Sequence, residues 1–183
     1  MTSDGTIALL LSARFGTSSP GDETVSSIPM ASATKGEASI DIAARSYQVF
    51  DLVADLSRMG EWSPECYRVE WLDGAAGPEV GARFRGYNHI GLIKWTAEGK
   101  VTEALRGREF AFSTEDKGRE MTRWRYRFAQ QGSVTRVVES YQLVWEPPWI
   151  RFADLFMPRT RQLARGMKRT LEHLKNAAEA ASY

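Results

Sequence analysis

The chain has 183 residues, and its 24 Lys and Arg nearly cancel 23 Asp and Glu to a formal net charge of +1. No global field therefore steers it to nucleic acid or an anionic surface, and six Trp, eight Phe and six Tyr can fill the core of a single domain. The single cysteine, Cys66, excludes an internal disulfide and a cysteine-based metal cluster. With His89 and His173 as the two histidines, neither a metal nor a cofactor is expected, and the setting is expected to be reducing and cytoplasmic.

Residues 1–36 are rich in Ser, Thr, Gly and Ala and lack sustained periodicity. They read as a disordered extension before one ligand-binding domain over 37–183. Ile7-Ala8-Leu9-Leu10-Leu11 has the apolar character of a signal-peptide core, but it is short, and Asp4 stands where a Lys or Arg belongs. Met30 offers an alternative start. No stretch approaches the roughly twenty apolar residues of a membrane span.

Between Glu37 and Ala43, Ala38, Ile40 and Ile42 alternate with Ser39 and Asp41, which predicts a first strand. Ser46 is the expected N-cap of a helix over Tyr47–Ala54, whose Val49, Phe50 and Val53, with Leu56 following, recur at helical spacing. A second short turn or helix begins at Asp55 and ends near Gly60, and Pro64 stops regular structure.

From Tyr67 to Trp145 the period is two. Tyr67, Val69 and Trp71 are expected on one face; Phe84, Gly86 and Asn88 share a face, as do Trp95, Ala97, Gly99 and Val101. Turns fall at Asp73-Gly74, Gly77-Pro78 and Arg106-Gly107, the last before Phe110 and Phe112. In Thr122–Phe128, Trp124, Tyr126 and Phe128 oppose Arg123, Arg125 and Arg127, and a neighbouring strand runs from Thr135 to Trp145. Roughly six or seven strands with short Gly-containing turns make an antiparallel meander with one packed and one wet face. After Pro147-Pro148 the chain reads as helical. Leu163, Met167, Leu171, Leu174 and Ala178 form a stripe, and Pro158 separates off an apolar piece containing Phe152, Leu155 and Phe156.

Specific stretches carry a resemblance: Ile40-Asp41-Ile42-Ala43-Ala44 entering a helix, Asp55-Leu56-Ser57-Arg58 leading to Glu61-Trp62-Ser63-Pro64, and Gly81-Ala82-Arg83-Phe84-Arg85-Gly86-Tyr87-Asn88. Trp95, Trp124-Arg125-Tyr126 and Thr135-Arg136-Val137 follow in order. Across about residues 37–180 the chain resembles the START and polyketide cyclase/dehydrase superfamily, also termed SRPBCC or helix-grip. The resemblance implies an α+β helix-grip fold, in which a curved antiparallel sheet wraps a long C-terminal helix. It leaves function open, because lipid carriers, hormone receptors and cyclases share that fold.

Strand parity puts Phe84, Asn88, Trp95, Phe112, Trp124 and Tyr126 on the concave face, opposed by Phe156, Leu163 and Met167. A mostly apolar cavity with few polar groups is the usual small-molecule site; the alternative is that the rings pack together and leave no cavity. If Arg136 faces water, Glu139 faces inward with Val137, Tyr141 and Leu143. A carboxylate there must be hydrogen-bonded, protonated or paired with ligand. Glu139 is thus a candidate general acid or base, with Asn88 orienting a substrate carbonyl; the opposite register returns Glu139 to solvent. Trp62 and Glu65 fall in a loop expected at the cavity mouth, where Trp62 can instead be a core plug.

His89 has the parity opposite to Asn88 and is expected outside. Gly86 and Gly91 have phosphate-loop spacing, but Leu92-Ile93 follows where the lysine is needed, which excludes that chemistry. Arg119, Arg123, Arg125 and Arg127 lie opposite the aromatics rather than among them, unlike a single-strand binding sheet. The expected function is a soluble binding protein for a small hydrophobic ligand that is lipid, isoprenoid or polyketide-like. The alternatives are a polyketide aromatase/cyclase or dehydratase using an inward acid–base pair, and a protein-interaction module. Nucleic acid is not an expected partner; peripheral contact of the basic helix with a membrane stays open.

Overall fold

A computed structural model describes residues 35–145 and 159–181. Alternating sequence carries the chain through β1 (Lys35–Ile42), β2 (Cys66–Trp71), β3 (Arg83–Ile90), β4 (Ile93–Leu105), β5 (Glu109–Asp116), β6 (Arg119–Gln131) and β7 (Val134–Leu143). All neighbours pair antiparallel, in the order β1-β7-β6-β5-β4-β3-β2. β2 to β7 form a meander, and β1 returns to pair with β7. The consecutive strands β1 and β2 therefore lie on opposite edges, and α1 (Ser46–Ala54) with a 3-10 helix (Leu56–Glu61) bridges between them. The C-terminal helix α2 (Arg159–Ala180) packs on the same face. This is the helix-grip arrangement, a curved sheet around a long helix.

The concave face has two halves. In the packed half, Phe110, Phe128, Val137 and Ile42 close around α1, with Phe50 edge-on to Phe110 and Phe128 at centroid distances of 6.0 and 5.8 Å. Leu171, Leu174 and Ala178 of α2 complete that core. Each large side chain withdrawn from water there contributes about 2–3 kcal/mol. Lys175 Nζ donates to the Asp41 carbonyl at 2.7 Å, and the Ala43 N–H donates to Glu179 Oε1 at 2.8 Å, pinning the end of α2 beside β1. In the other half, the first turns of α2 place Leu163 and Met167 against Tyr141, with Trp124, Ala38 and Leu143 at the margin. Asn88, Trp95, Ala97, Thr114, Thr122 and Trp124 remain only half-buried there.

Several local expectations are corrected. The N-cap is Arg45, one residue before Ser46: the Arg45 N–H is met by Gln48 Oε1 at 3.0 Å and the Ser46 N–H by Gln130 Oε1 at 2.7 Å. The first-turn N–H groups of Gln48 and Val49 go to the Arg45 carbonyl at 3.0 and 3.1 Å, and a glutamine reaching from β6 satisfies the N–H of Ser46 itself. β1 starts at Lys35 because its pairing with β7 extends to Lys35↔Gln142, and β7 ends at Leu143 rather than Trp145. Tyr67 does not share a face with Val69 and Trp71. A register shift between Cys66 and Arg68 in the pairing with β3 turns Tyr67 outward, to 46% exposed, and buries Cys66 instead. Pro147-Pro148, Phe152, Leu155, Phe156, Pro158 and the N-terminal extension before Lys35 lie outside the described residues.

Candidate functional site

Cross-strand rows build the concave wall. One runs Ala38–Glu139–Tyr126–Phe110 across β1, β7, β6 and β5, and the next runs Gly36–Tyr141–Trp124–Phe112. Trp124 and Tyr141 pack as tilted rings, centroids 5.5 Å apart and planes at 44°. Glycines let rings lie flat on the wall. A Cβ at Gly99 would stand 2.4 Å from Phe84 Cζ, and one at Gly36 would stand 2.7 Å from the Tyr141 ring. Phe84 in turn sits edge-on to Phe112 at 5.5 Å.

Glu139 is 3% exposed and sits at the boundary of the two halves. Tyr126, itself 4% exposed, donates its O–H to Glu139 Oε1 at 2.7 Å, and Oε2 is buried without a hydrogen-bond partner. An open acceptor in an apolar wall is costly as a carboxylate. Burial pushes the Glu139 pKa from its ordinary 4.5 to about 8, against the opposing Tyr126 hydrogen bond. The same burial, with Glu139 beside it, pushes the Tyr126 phenol well above its usual range. At neutral pH the pair is a protonated acid held by a neutral phenol. Cys66 is near enough to act on Tyr126 electrostatically, and burial raises its thiol pKa as well.

Of the candidate residues, Phe84, Phe112, Tyr126, Glu139, Leu163 and Met167 are buried on the facing surfaces of sheet and helix, and Asn88, Trp95 and Trp124 are half-buried. Trp62 is 2% exposed in the main core, the position described by the plug alternative. Its carbonyl lies 3.2 Å from His173 Nδ1, and Gln162 Nε2 donates to Glu65 Oε1 at 3.3 Å, so this loop is fastened to α2. Phe156 lies outside the described residues. Among the described residues no hydrogen bond joins Asn88 to Glu139: β3 and β7 are four strand spacings apart along the sheet, although its curvature brings Cys66, the cross-strand partner of Asn88, near enough to act on Tyr126. Asn88 Nδ2 donates instead to the Gly86 carbonyl at 3.4 Å. The group within reach of Glu139 is Tyr126, which sequence reading placed only as an apolar wall residue.

The remaining candidates lie elsewhere. His89 packs at a tilt against Tyr67, ring centroids 5.6 Å apart. Arg123 pairs with Glu120 at 2.7 Å, Arg125 with Glu109 at 3.1 Å, and Arg127 with Glu37 at 3.8 Å. A surface cleft of about 440 Å³ is lined by Arg83, Arg85 and Glu98, whose charges bond one another at 2.7–2.8 Å, and another of about 360 Å³ lies beside α1 at Asp51 and Trp71; neither is lined by Glu139. Among the described residues no group of three His, Cys, Asp or Glu could hold a metal ion. Among those residues, too, no helix is long and apolar enough to cross a membrane.

Comparison with known proteins agrees with this geometry. No curated protein matches the chain. A polyketide-cyclase-like protein of Corynebacterium glutamicum, solved by NMR, is 32% identical, with 81% of this chain and 93% of that chain covered and a TM-score of 0.55. The Zhui aromatase/cyclase of Streptomyces sp. R1128 is 16% identical over 81% of this chain and 95% of its own, with a TM-score of 0.63. A Thermus thermophilus protein is 20% identical over 81% and 99%, with a TM-score of 0.61. These last two likenesses concern the fold alone. The family model for polyketide cyclase / dehydrase and lipid transport matches residues 33–179, and with the 32% identical relative this establishes that the chain belongs to that family.

Proposed function

We propose that the protein binds one small hydrophobic molecule, lipid, isoprenoid or polyketide-like, against the partly covered half of the concave face. The observation that carries this reading is the contrast within one wall. α1 and α2 bury the phenylalanines of one half, whereas Trp95 and Trp124 in the other stay half-exposed on an inward-facing surface. A ligand covering those indoles gains about 25 cal/mol for each Å² of apolar surface removed from water. Leu163 and Met167 of α2 supply the opposing apolar contact, with Tyr141 beside Trp124 in the wall, and Glu139 with Tyr126 supplies the polar group that fixes orientation.

A second reading, an aromatase/cyclase or dehydratase, is favoured by the same pair. A buried carboxylic acid protonated at neutral pH, held by a phenol, is a proton donor of the kind general acid catalysis uses. Native mass spectrometry of freshly purified protein, followed by organic extraction, tests the binding reading. The expected result is a discrete extra mass that extraction removes, and that Trp124→Ala no longer retains while keeping its fold. Unchanged retention by Trp124→Ala would remove the indole from the site. A clean apo mass, with no gain on incubation with apolar lipids and polyketides, would mean that the side chains fill the wall themselves.

A further inference from the structure

Resting on that binding reading, we infer that the ligand is uncharged and meets Glu139 Oε2 with a hydrogen-bond-accepting oxygen, such as a ketone, quinone or ester carbonyl, rather than with a carboxylate or phosphate. The geometry leaves one valence to satisfy. Tyr126 occupies Oε1 as a donor, so Oε2 is the unmatched edge of the carboxyl, buried and without a hydrogen-bond partner. A ligand atom that completes this edge removes the cost of an unmatched buried polar group.

The charge of the surroundings decides which atom that is. Arg123, Arg125 and Arg127 alternate to the outer face, and Arg165, Lys168 and Arg169 on α2 are exposed. The flanking strand positions are Ala38 on β1, Tyr126 on β6, and Val137 and Tyr141 on β7 itself. α2 buries Leu163, Met167 and Thr170. The titratable groups on this side are therefore the Tyr126 and Tyr141 phenols and the Cys66 thiol near Tyr126; Lys175 reaches the Asp41 carbonyl, and His173 meets the Trp62 carbonyl. Among the residues whose side chains the structure describes, 35–145 and 162–181, no cation faces the wall. An anionic head group would enter beside an acid with no counter-charge and lose its hydration. A free fatty acid or a phosphate ester is disfavoured on those grounds. A neutral carbonyl loses little hydration and accepts the proton that burial keeps on Glu139.

Four naphthalene probes of one skeleton test this by equilibrium dialysis: ethylnaphthalene, naphthyl methyl ketone, naphthoate and naphthylmethylamine. At about pH 6 the ketone should bind about tenfold more tightly than ethylnaphthalene and naphthoate, the factor expected for one net hydrogen bond. That advantage should disappear at about pH 9.5, where Glu139 is ionised. Glu139→Gln retains an N–H donor, so it should hold the ketone at both pH values; Glu139→Leu should bind ketone and ethylnaphthalene alike. Equal binding of ketone and ethylnaphthalene by the unaltered protein would overturn the inference and leave the binding reading standing. Preference for the amine would overturn it in favour of Glu139 as a counter-ion, and preference for naphthoate would require a cation at the wall. No uptake of any probe would sink the binding reading itself, and this inference with it.

Discussion

The two halves of the concave face share strands, curvature and helix, yet they differ in what covers them. At the end near Ile42, α1 crosses the sheet and α2 presents Leu171, Leu174 and Ala178, so aromatic rings there touch protein on every side. In the other half, Leu163 and Met167 pack on Tyr141 and the margin of Trp124, and the indoles of Trp95 and Trp124 stay half-exposed. The same residue class therefore has two roles. Phe110 and Phe128 hold the fold together, while Trp95 and Trp124 form a surface that is apolar and still accessible. Glu139 sits on the seam, between Val137 and Tyr141, with Oε2 buried and without a hydrogen-bond partner.

The comparison breaks most visibly at its packed end. Phe110 is 0% exposed and edge-on to Phe50, so Phe110→Ala leaves a cavity that rigid neighbours cannot fill. The expected loss is about 3–5 kcal/mol in urea unfolding at unchanged slope. Trp124→Ala, although it removes a larger side chain, should cost clearly less, because part of that surface already meets water. Equal costs would erase the distinction between the halves.

Glu139 sharpens the comparison through pH. Its folded pKa is raised from 4.5 to about 8, so its stabilising contribution is complete below the ordinary value and is lost as pH rises through about 8. Between those limits the folded chain keeps a proton that the unfolded chain releases, and stability should fall by about 1.4 kcal/mol per pH unit. Glu139→Gln should flatten that slope in unfolding curves taken across the window. Glu98, held below the ordinary carboxylate range by its Arg85 hydrogen bond, changes protonation only in more acidic solution and does not imitate the effect. A flat profile in the unaltered protein would show that Glu139 is solvated.

Strand parity made much of this visible in advance: Trp124, Tyr126 and Glu139 fall on the concave side for the same reason that Arg123, Arg125 and Arg127 fall outside. The contact between Tyr126 and Glu139 was also encoded. The two-residue turn Gly132-Ser133 fixes Gln131↔Val134, and counting five positions back and forward reaches that pair. A bulge has no signature in alternation, so parity alone puts Tyr67 on the wrong face; the Gln130 side chain that meets the Ser46 N–H comes from 84 positions away, beyond any local capping pattern. The division into halves was not legible at all. It depends on where α1 crosses the sheet, a tertiary outcome that no local pattern specifies, and the same topology sets Asn88 four strands from Glu139.

The smallest effect is expected on the opposite face of the same strands. Arg125 Nε lies 3.1 Å from Glu109 Oε1, but its side chain is 58% exposed, so water competes for both charges and salt screens them. Arg125→Ala should cost less than about 1 kcal/mol, and less still at high salt. Retention of the naphthyl ketone should not change, because Arg125 lies between Trp124 and Tyr126 in sequence but points away from both. That adjacency makes the variant a demanding control. A loss of binding there would mean that displacing the strand disturbs the wall, and reduced uptake in Trp124→Ala could then no longer be assigned to the indole alone.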